Sequence, residues 1–484
     1  MTEPKGLEAL EAAIAHDFAI LNHPPQNWVP ERPGPDGRAM LDVLVVGAGM
    51  CGLTAAFHFK RLGMHNTRLI DAAAEGRQGP WRTFARMETL RSPKHLTGPA
   101  SGMANLAFRA WWEAQYGEAG WERLGLIDRE TWADYLDWYG RVTGGTRETG
   151  VRLDTLTPFD EGLTAQLVHG DGREETVHAR HVVLATGREG MAVMRIPPVF
   201  AKYCGGLVHH TGDAPGRELM TGRDVVVIGL GASAFDYAAE ALEAGARRVK
   251  ILGRSAKLSR VNKAKQITYA GFVHGYPLLP DAEKIAILSH IFEKGIAPPS
   301  GTVQRVMRHD NVEIMLGAEV EAASEQGGQL VLETARGAFP ADLVVLGTGY
   351  RIELAEAGYL APHLDVIASW RDRFDGPAPG EFLDFPYIGP RFEFTAKPGT
   401  EARADYLQRL TCFSHAAMMS LGNLANDIPA VSEGAERLTR GIAAALYRED
   451  LPRHWQNLEA YEEGELLGDE IAGFDAYWPD VPTG

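Results

Sequence analysis

The chain has 484 residues, enough for roughly two to three domains with substantial cores. Its formal net charge of −16 argues against non-specific binding to nucleic acid or to anionic membranes. No apolar run is long enough to span a bilayer, and the acidic N-terminal segment lacks the apolar core of a signal peptide, so we expect a cytoplasmic protein. Because the three cysteines (Cys51, Cys204 and Cys412) are scattered, the sequence predicts neither a disulfide framework nor a metal site.

The first 40 residues are predicted to form a helix followed by a proline-rich strap. Apolar residues such as Leu7, Leu10 and Ile14 recur at helical spacing between residues 5 and 21. Five prolines then fall between residues 24 and 35. We expect the helix to pack on the body of the protein and the strap to lead into the first strand.

Residues 42–71 have the pattern of strand, tight turn, helix, strand and acid. The three glycines of a G-x-G-x-x-G turn are Gly47, Gly49 and Gly52, and Asp71 ends the second strand. In this context the pattern predicts a dinucleotide-binding unit. Gly47 permits the turn, Gly49 lets the backbone approach a pyrophosphate, and Gly52 lets the helix pack on the strand. The carboxylate of Asp71 can then accept hydrogen bonds from ribose hydroxyls.

The same pattern recurs without a gap at residues 224–254, at an offset of 182. The positions equivalent to the three glycines are Gly229, Gly231 and Ala234. Asp71 corresponds to Gly253, and the next residue is Arg254. Loss of the acid removes repulsion against a 2′-phosphate, and an arginine can pair with that phosphate. The first site therefore suits a dinucleotide with a free 2′-hydroxyl, and the second suits NADPH.

A shorter element also repeats, as VVLATG at residues 182–187 and VVLGTG at residues 344–349. Each follows alternating residues that predict a small β-meander. Paired units of this kind resemble the flavoproteins with two dinucleotide-binding domains, which implies FAD in the first unit and NADPH in the second. The predicted fold is α/β, with two Rossmann-like domains and helical insertions. The FAD-binding domain would comprise residues 41–215 and 340–484, and the NADPH-binding domain residues 216–339.

Several segments resemble the class B flavin-dependent monooxygenases, including the N-hydroxylating enzymes that act on lysine or ornithine. They are the Gly79–Trp81 pair, METLRSPK at residues 87–94, RETWADYLDWYGR at residues 129–141, and GLGASA at residues 229–234. The resemblance implies that Trp81 lies beside the flavin and that Ser233 hydrogen-bonds the NADPH pyrophosphate. Six tryptophans lie between residues 81 and 138, and they can form the core of a helical insertion or an apolar wall beside the flavin.

Candidate substrate-binding residues follow from the same resemblance. Arg91 and Lys94 could hold FAD phosphates or a substrate carboxylate, or they could be ordinary surface charges. Asn262 and Lys263 fall in the long segment 255–316, where N-hydroxylases carry a helical insertion facing the active site, but a solvated loop is an equal alternative.

A loop before the last long predicted helix carries two more candidates. Asn426 and Asp427 match, by position only, a loop that approaches the flavin in related folds. The alternative is an Asx-turn or helix N-cap before Pro429.

The resemblance also implies the chemistry. NADPH would reduce FAD, O2 would add to form a C4a-(hydro)peroxyflavin, and the hydroperoxide would oxygenate a soft nucleophile, with a small-molecule substrate and O2 as partners. We expect N-hydroxylation of a small amine or amino acid. Baeyer–Villiger or S-oxygenation and an NADPH oxidase or reductase are alternatives, although residues 200–213 lack the aromatic residue of the Baeyer–Villiger motif. The absence of C-x-x-C argues against the disulfide-reductase branch, and the oligomeric state stays open.

Overall fold

The computed structural model describes residues 5–465, except residues 294 and 426. Its α-helices are α1 (Leu7–Ile20), α2 (Met50–Arg61), α3 (Phe108–Arg123), α4 (Arg129–Val142), α5 (Ala232–Glu243), α6 (Ala270–Gly275), α7 (Asp281–Phe292), α8 (Ser300–Met307), α9 (Trp370–Arg373), α10 (Met418–Leu421), α11 (Val431–Glu449) and α12 (Leu451–Glu459).

The β-strands form two main sheets and two smaller ones. They are β1 (Leu41–Val46), β2 (Thr67–Asp71), β3 (Arg147–Thr149), β4 (Val151–Phe159), β5 (Gly162–His169), β6 (Glu174–Leu184), β7 (Ala192–Met194), β8 (Val208–His210), β9 (Asp224–Ile228), β10 (Arg248–Gly253), β11 (Val312–Leu316), β12 (Val320–Gln326), β13 (Gln329–Thr334), β14 (Gly337–Ala341), β15 (Leu343–Leu346), β16 (Tyr350–Ile352) and β17 (Leu410–Cys412).

The first sheet is built around the first predicted dinucleotide unit. Its strand order is β3-β2-β1-β6-β5-β4, with β17 beside β6. β1 pairs in parallel with both β2 and β6, and its apolar residues Val43 to Val46 are buried, as a strand covered on both faces requires. The predicted strand–helix–strand unit is confirmed as β1, α2 and β2.

The second sheet repeats this arrangement with the order β11-β10-β9-β15-β8, all parallel. The second predicted unit is β9, α5 and β10. β15 lies beside β9 just as β6 lies beside β1, so the strands of the repeated VVLATG and VVLGTG elements occupy equivalent positions. Together the two sheets confirm an α/β fold with two Rossmann-like domains.

Two strands that the predicted domain boundaries assign to the FAD-binding domain lie in the second sheet. Residues 208–210 and 343–346 fall within the ranges predicted for the FAD-binding domain, but as β8 and β15 they belong to the second sheet. The reason is that all four residues of β15 are buried, and this strand needs a parallel neighbour on each side. The connections between the domains pair instead as the antiparallel ribbon of β7 and β16.

α2 packs on the first sheet, and α3 and α4 carry a cluster of buried aromatic side chains. α3 and α4 bury Trp111, Trp121, Trp132 and Trp138, which confirms a helical core for these tryptophans. α1 packs against α3 through Leu10 and Ile14, as its periodicity predicts. Among the residues that the structure describes, no helix has the length and apolarity to cross a membrane.

Candidate active site

A cavity of about 720 Å³ lies between the two domains. Its wall comes from segments that follow the carboxyl ends of parallel strands in both sheets, which is where open α/β sheets bind ligands. Gly47 follows β1 and Thr186 follows β6 in the first sheet, whereas Thr211 follows β8 in the second. Ser233, near the start of α5, also contributes. Residues of both predicted dinucleotide units therefore line the same space.

The glycine turn after β1 is shaped for close approach of a ligand. Gly47 has φ +102°, and a Cβ there would lie 2.4 Å from the carbonyl oxygen of Ala185. A Cβ on Gly52 would lie 1.8 Å from the carbonyl oxygen of Gly47, so helix and turn touch at this glycine. By contrast, a Cβ on Gly49 would meet nothing nearer than the Cα of Gly79 at 3.9 Å. The absent side chain of Gly49 leaves room on the cavity wall for a ligand.

Polar groups around this turn fit a dinucleotide. α2 begins after Gly49 without a side-chain cap, so its first N–H groups are available to a phosphate. The Asp71 carboxylate accepts hydrogen bonds from the backbone N–H groups of Ala48 at 2.7 Å and Ala73 at 2.8 Å. These bonds fix the carboxylate at the wall, and its remaining lone pairs can accept from ribose hydroxyls.

The second glycine turn has the same construction. Gly229 has φ +123°, and a Cβ there would lie 2.5 Å from the carbonyl oxygen of Gly347. A Cβ on Gly231 would have no heavy atom within 4 Å. Arg254 is exposed immediately after β10 and has no hydrogen bond or ion pair within the described part of the chain. These residues fit a dinucleotide with a 2′-phosphate.

The structure separates the four candidate substrate residues. Arg91 is on the cavity wall, where its Nη2 donates to Oδ2 of Asp236 at 2.9 Å. Lys94 donates instead to the carbonyl oxygens of Trp121 and Leu124 at the end of α3. Lys94, Asn262 and Lys263 are not among the described residues that line the cavity.

The segment of Asn262 and Lys263 has its own local contacts. The side chain of Asn262 accepts from the N–H of Ala264 at 3.0 Å and so caps a short 3₁₀ helix. Lys263 hydrogen-bonds to His290 on α7. Of the four predicted substrate residues, Arg91 alone lines the cavity, and the roles predicted for the others stay predictions.

Two predicted flavin contacts lie on the wall. Trp81 lines the cavity, and it is the one member of the group of six tryptophans to do so within the described residues. Asp427 also lines it and accepts a hydrogen bond from Nδ2 of Asn423 at 3.1 Å. Burial raises the pKa of Asp427 above its ordinary value. Asn426 lies outside the described residues.

Sequence reasoning missed several residues of the wall. Arg188 follows the VVLATG strand directly, and Tyr350 follows VVLGTG, so the repeated element itself marked the place. Tyr359 has no sequence signal of its own; its hydroxyl donates to the carbonyl oxygen of Gly190 at 2.6 Å. Arg77, six residues after Asp71, also lines the cavity.

Two Rossmann-like domains that open into one cavity define a flavoprotein oxidoreductase of the two-dinucleotide class. The family model of the pyridine nucleotide-disulphide oxidoreductases matches residues 41–363, and the chain belongs to that family. It is 34% identical over 467 residues to the FAD-dependent urate hydroxylase of Xanthomonas campestris pv. campestris, covering 96% of this chain and 98% of that protein. Within the family the chain is an FAD-dependent monooxygenase.

Solved structures with the same fold include two ornithine hydroxylases. The enzyme from Pseudomonas aeruginosa has a TM-score of 0.64 at 16% identity, covering 84% of this chain and 99% of that chain. The Kutzneria sp. 744 ornithine N-hydroxylase, determined with reduced FAD, NADP+ and L-ornithine, has a TM-score of 0.64 at 15% identity with the same coverage. At this identity the likeness shows the fold.

Proposed function

We propose that this protein is an NADPH-dependent FAD monooxygenase that hydroxylates a small planar nitrogen heterocycle of the urate type. The observation that carries this proposal is the cavity that the first glycine turn and the start of α5 both line, because a nicotinamide and a flavin must meet for one to reduce the other. The substrate class rests on the identity to the Xanthomonas urate hydroxylase, which extends over nearly the whole of both chains.

We assign different residues of the chain to the binding of FAD and of NADPH according to their positions. The turn at Gly49 and the N-terminus of α2 would hold the FAD pyrophosphate, with Asp71 on the ribose. The turn at Gly231, together with Ser233 and Arg254, would hold NADPH. A bound flavin accepts a hydride from NADPH and activates O2, chemistry that amino-acid side chains lack.

The cavity wall between the two turns controls water and orientation. Trp81, Phe84 and Tyr237 present aromatic surface to the cavity. The hydroxyl of Tyr237 lies within hydrogen-bond distance of the carbonyl oxygens of Thr211 at 2.9 Å and Phe84 at 3.2 Å, so it connects both domains at the wall. A largely apolar wall disfavours water beside a bound flavin, which would protect its oxygen chemistry from side reactions.

N-hydroxylation of a small amine, which the sequence resemblance predicts, is less well supported. The ornithine hydroxylases share the fold at 15–16% identity, too low to transfer a substrate. Arg91 and Arg188 also place positive charge on the wall, which disfavours a cationic amine beside them.

Substrate-stimulated turnover tests the proposal. The FAD-loaded enzyme would be given NADPH and O2 with urate, ornithine, lysine, cadaverine, a sulfide or a ketone, while NADPH, O2 and hydrogen peroxide are followed. We expect urate to accelerate NADPH consumption and to be converted to a hydroxylated product with little peroxide. Stimulation by an amine alone would establish N-hydroxylation instead. Equal NADPH consumption with every compound, all of it released as peroxide, would establish an oxidase.

A further inference from the structure

The strongest unassigned feature of the cavity is the guanidinium of Arg188. Arg188 lies in the turn after β6 and lines the cavity. Within the described part of the chain its side chain makes no hydrogen bond and has no carboxylate within ion-pair distance. Arg188 is exposed, although protein atoms packed around it lower its pKa from the ordinary value by displacing water. An anionic ligand in the cavity can therefore complete the hydrogen bonding of this guanidinium.

The turn that carries Arg188 is held firmly. Gly187 has φ +68°, and a Cβ on Gly190 would lie 1.9 Å from Oγ1 of Thr186, so the two ends of the turn touch. Tyr359 lies against both ends, and its hydroxyl donates to the carbonyl oxygen of Gly190 at 2.6 Å. The backbone position of Arg188 is therefore set before a ligand arrives, which lowers the entropy cost of binding.

Within the described residues, the groups around Arg188 leave its guanidinium without an ion-pair partner. Burial raises the pKa of the neighbouring Glu189, which disfavours its ionised form. The pKa of Tyr350 is raised to about 12 and that of His415 is lowered to about 3, both chiefly by burial, so each is neutral near pH 7. Arg91 adds positive charge, but its own counter-ion is Asp236.

Other charged groups on the wall have partners or lie elsewhere. Asp71 accepts hydrogen bonds from two backbone N–H groups, and Arg152 pairs with Asp154 at 2.7 Å. Arg77 has no side-chain partner in the described residues, but it follows Asp71 on the same loop, at the end of the cavity suited to the dinucleotide. Arg188 therefore supplies a guanidinium without an ion-pair partner in the described residues, at the end nearer Arg91 and Tyr350.

We propose that Arg188 anchors the substrate by pairing its guanidinium with a planar anionic group, either a carboxylate or the deprotonated edge of a nitrogen heterocycle. The planar fork of a guanidinium can donate two parallel hydrogen bonds to such a group, which fixes both its position and its plane. This inference rests on the proposed function, since urate carries one negative charge at neutral pH. It gives the cavity a preference for anions over amines of similar size.

Ligand binding to the oxidised, FAD-loaded enzyme tests the inference without turnover. The variants are Arg188→Gln, which removes the charge, and Arg188→Lys, which keeps the charge and loses the fork. Arg173→Gln is the matched control, because this exposed arginine lies in the turn between β5 and β6 and is not on the described wall. The probes are urate and benzoate as planar anions and hypoxanthine as a neutral compound, each titrated against the flavin absorption spectrum.

We expect Arg188→Gln to weaken binding of urate or benzoate by about 10- to 100-fold, the usual effect of losing a charge-assisted hydrogen bond. Arg188→Lys should fall between this variant and the wild type. Hypoxanthine binding, FAD content and the KM for NADPH should match those of the wild type and Arg173→Gln.

Three results would overturn the inference: equal weakening for anions and hypoxanthine, a raised KM for NADPH with unchanged anion binding, or no anion binding by the wild-type enzyme. Other outcomes distinguish failure of the proposed function from failure of this inference. If benzoate binds through Arg188 but urate is not hydroxylated, the anion site stands and the urate proposal fails. If urate is hydroxylated with the same KM by Arg188→Gln, the function stands and the anchor fails.

Discussion

Arg91 and Asp236 form an ion pair that joins the two dinucleotide-binding domains at the cavity wall, with Nη2 and Oδ2 2.9 Å apart. Arg91 comes from the segment after the first unit, whereas Asp236 lies on α5 of the second. The Asp236 side chain is 5% exposed and also accepts from Oγ1 of Thr302 at 3.1 Å. Burial raises the pKa of Asp236, and Arg91 opposes that shift.

Removing this arginine should destabilise the protein in a pH-dependent way. Arg91→Ala leaves a buried carboxylate without its counter-ion, and we expect the free energy of unfolding to fall by about 2 kcal/mol near neutral pH. The raised pKa of Asp236 would rise further, so the deficit should shrink as the pH falls through that pKa. Urea unfolding measures it. Arg91→Ala/Asp236→Asn is the control, and a double variant no more stable than Arg91→Ala would refute this account.

Alanine substitutions at two glycines of the first turn should have different effects on FAD binding and on stability. Gly49→Ala places its Cβ in open space, so the apoprotein should unfold at the wild-type temperature while FAD affinity falls at least about tenfold, because the pyrophosphate loses its close approach. Gly52→Ala places its Cβ against the carbonyl oxygen of Gly47 and should lower both the unfolding temperature and the FAD affinity. The flavin-to-protein absorbance ratio and thermal unfolding distinguish them. A normal FAD content in Gly49→Ala would mean that the dinucleotide lies elsewhere.

Arg254 should set the choice between the two nicotinamide dinucleotides. We expect Arg254→Ala to lower kcat/KM for NADPH by roughly 10- to 100-fold while kcat/KM for NADH changes little, because NADH lacks the 2′-phosphate. Arg248→Ala is the matched control, since this half-exposed arginine of β10 lies 3.5 Å from Asp224 instead. Initial rates with each dinucleotide give the comparison. Equal losses for both would remove Arg254 from the 2′-phosphate site.

Burial of Asp42 should lower the free energy of unfolding as the pH rises. It is 3% exposed, and its pKa is raised to about 7, chiefly by burial and against the pull of Arg180. The folded protein therefore holds a proton that the unfolded chain releases near pH 4, so stability from this group falls between about pH 4 and 7. Asp42→Asn should be more stable than the wild type above pH 7, by at most about 4 kcal/mol. Melting temperatures at pH 4.5 and 8 test this, and a pH-independent difference would count against it.

The site residues divide according to whether their role depends on local or distant neighbours. Gly47 and Gly229 act through the turn that each one forms, so the spacing of the glycines sufficed to find them. Lys94 matched a family segment, yet in the structure it holds the end of α3 through Trp121 and Leu124, 27 and 30 residues away. Arg188 directly follows the repeated VVLATG element, but only folding brings it to the cavity together with Tyr359, far along the chain.

The sequence by itself determined the two strand–turn–helix units, the burial of their strands and the construction of both glycine turns. These features depend on hydrophobic period and on backbone conformations that glycine allows, and both are properties of short segments. Only the tertiary structure decided that β8 and β15 complete the second sheet, that Arg91 pairs with Asp236, and that Arg188 lines the cavity. Those relationships follow from which buried surfaces and charges meet across the fold, and no local spacing encodes that meeting.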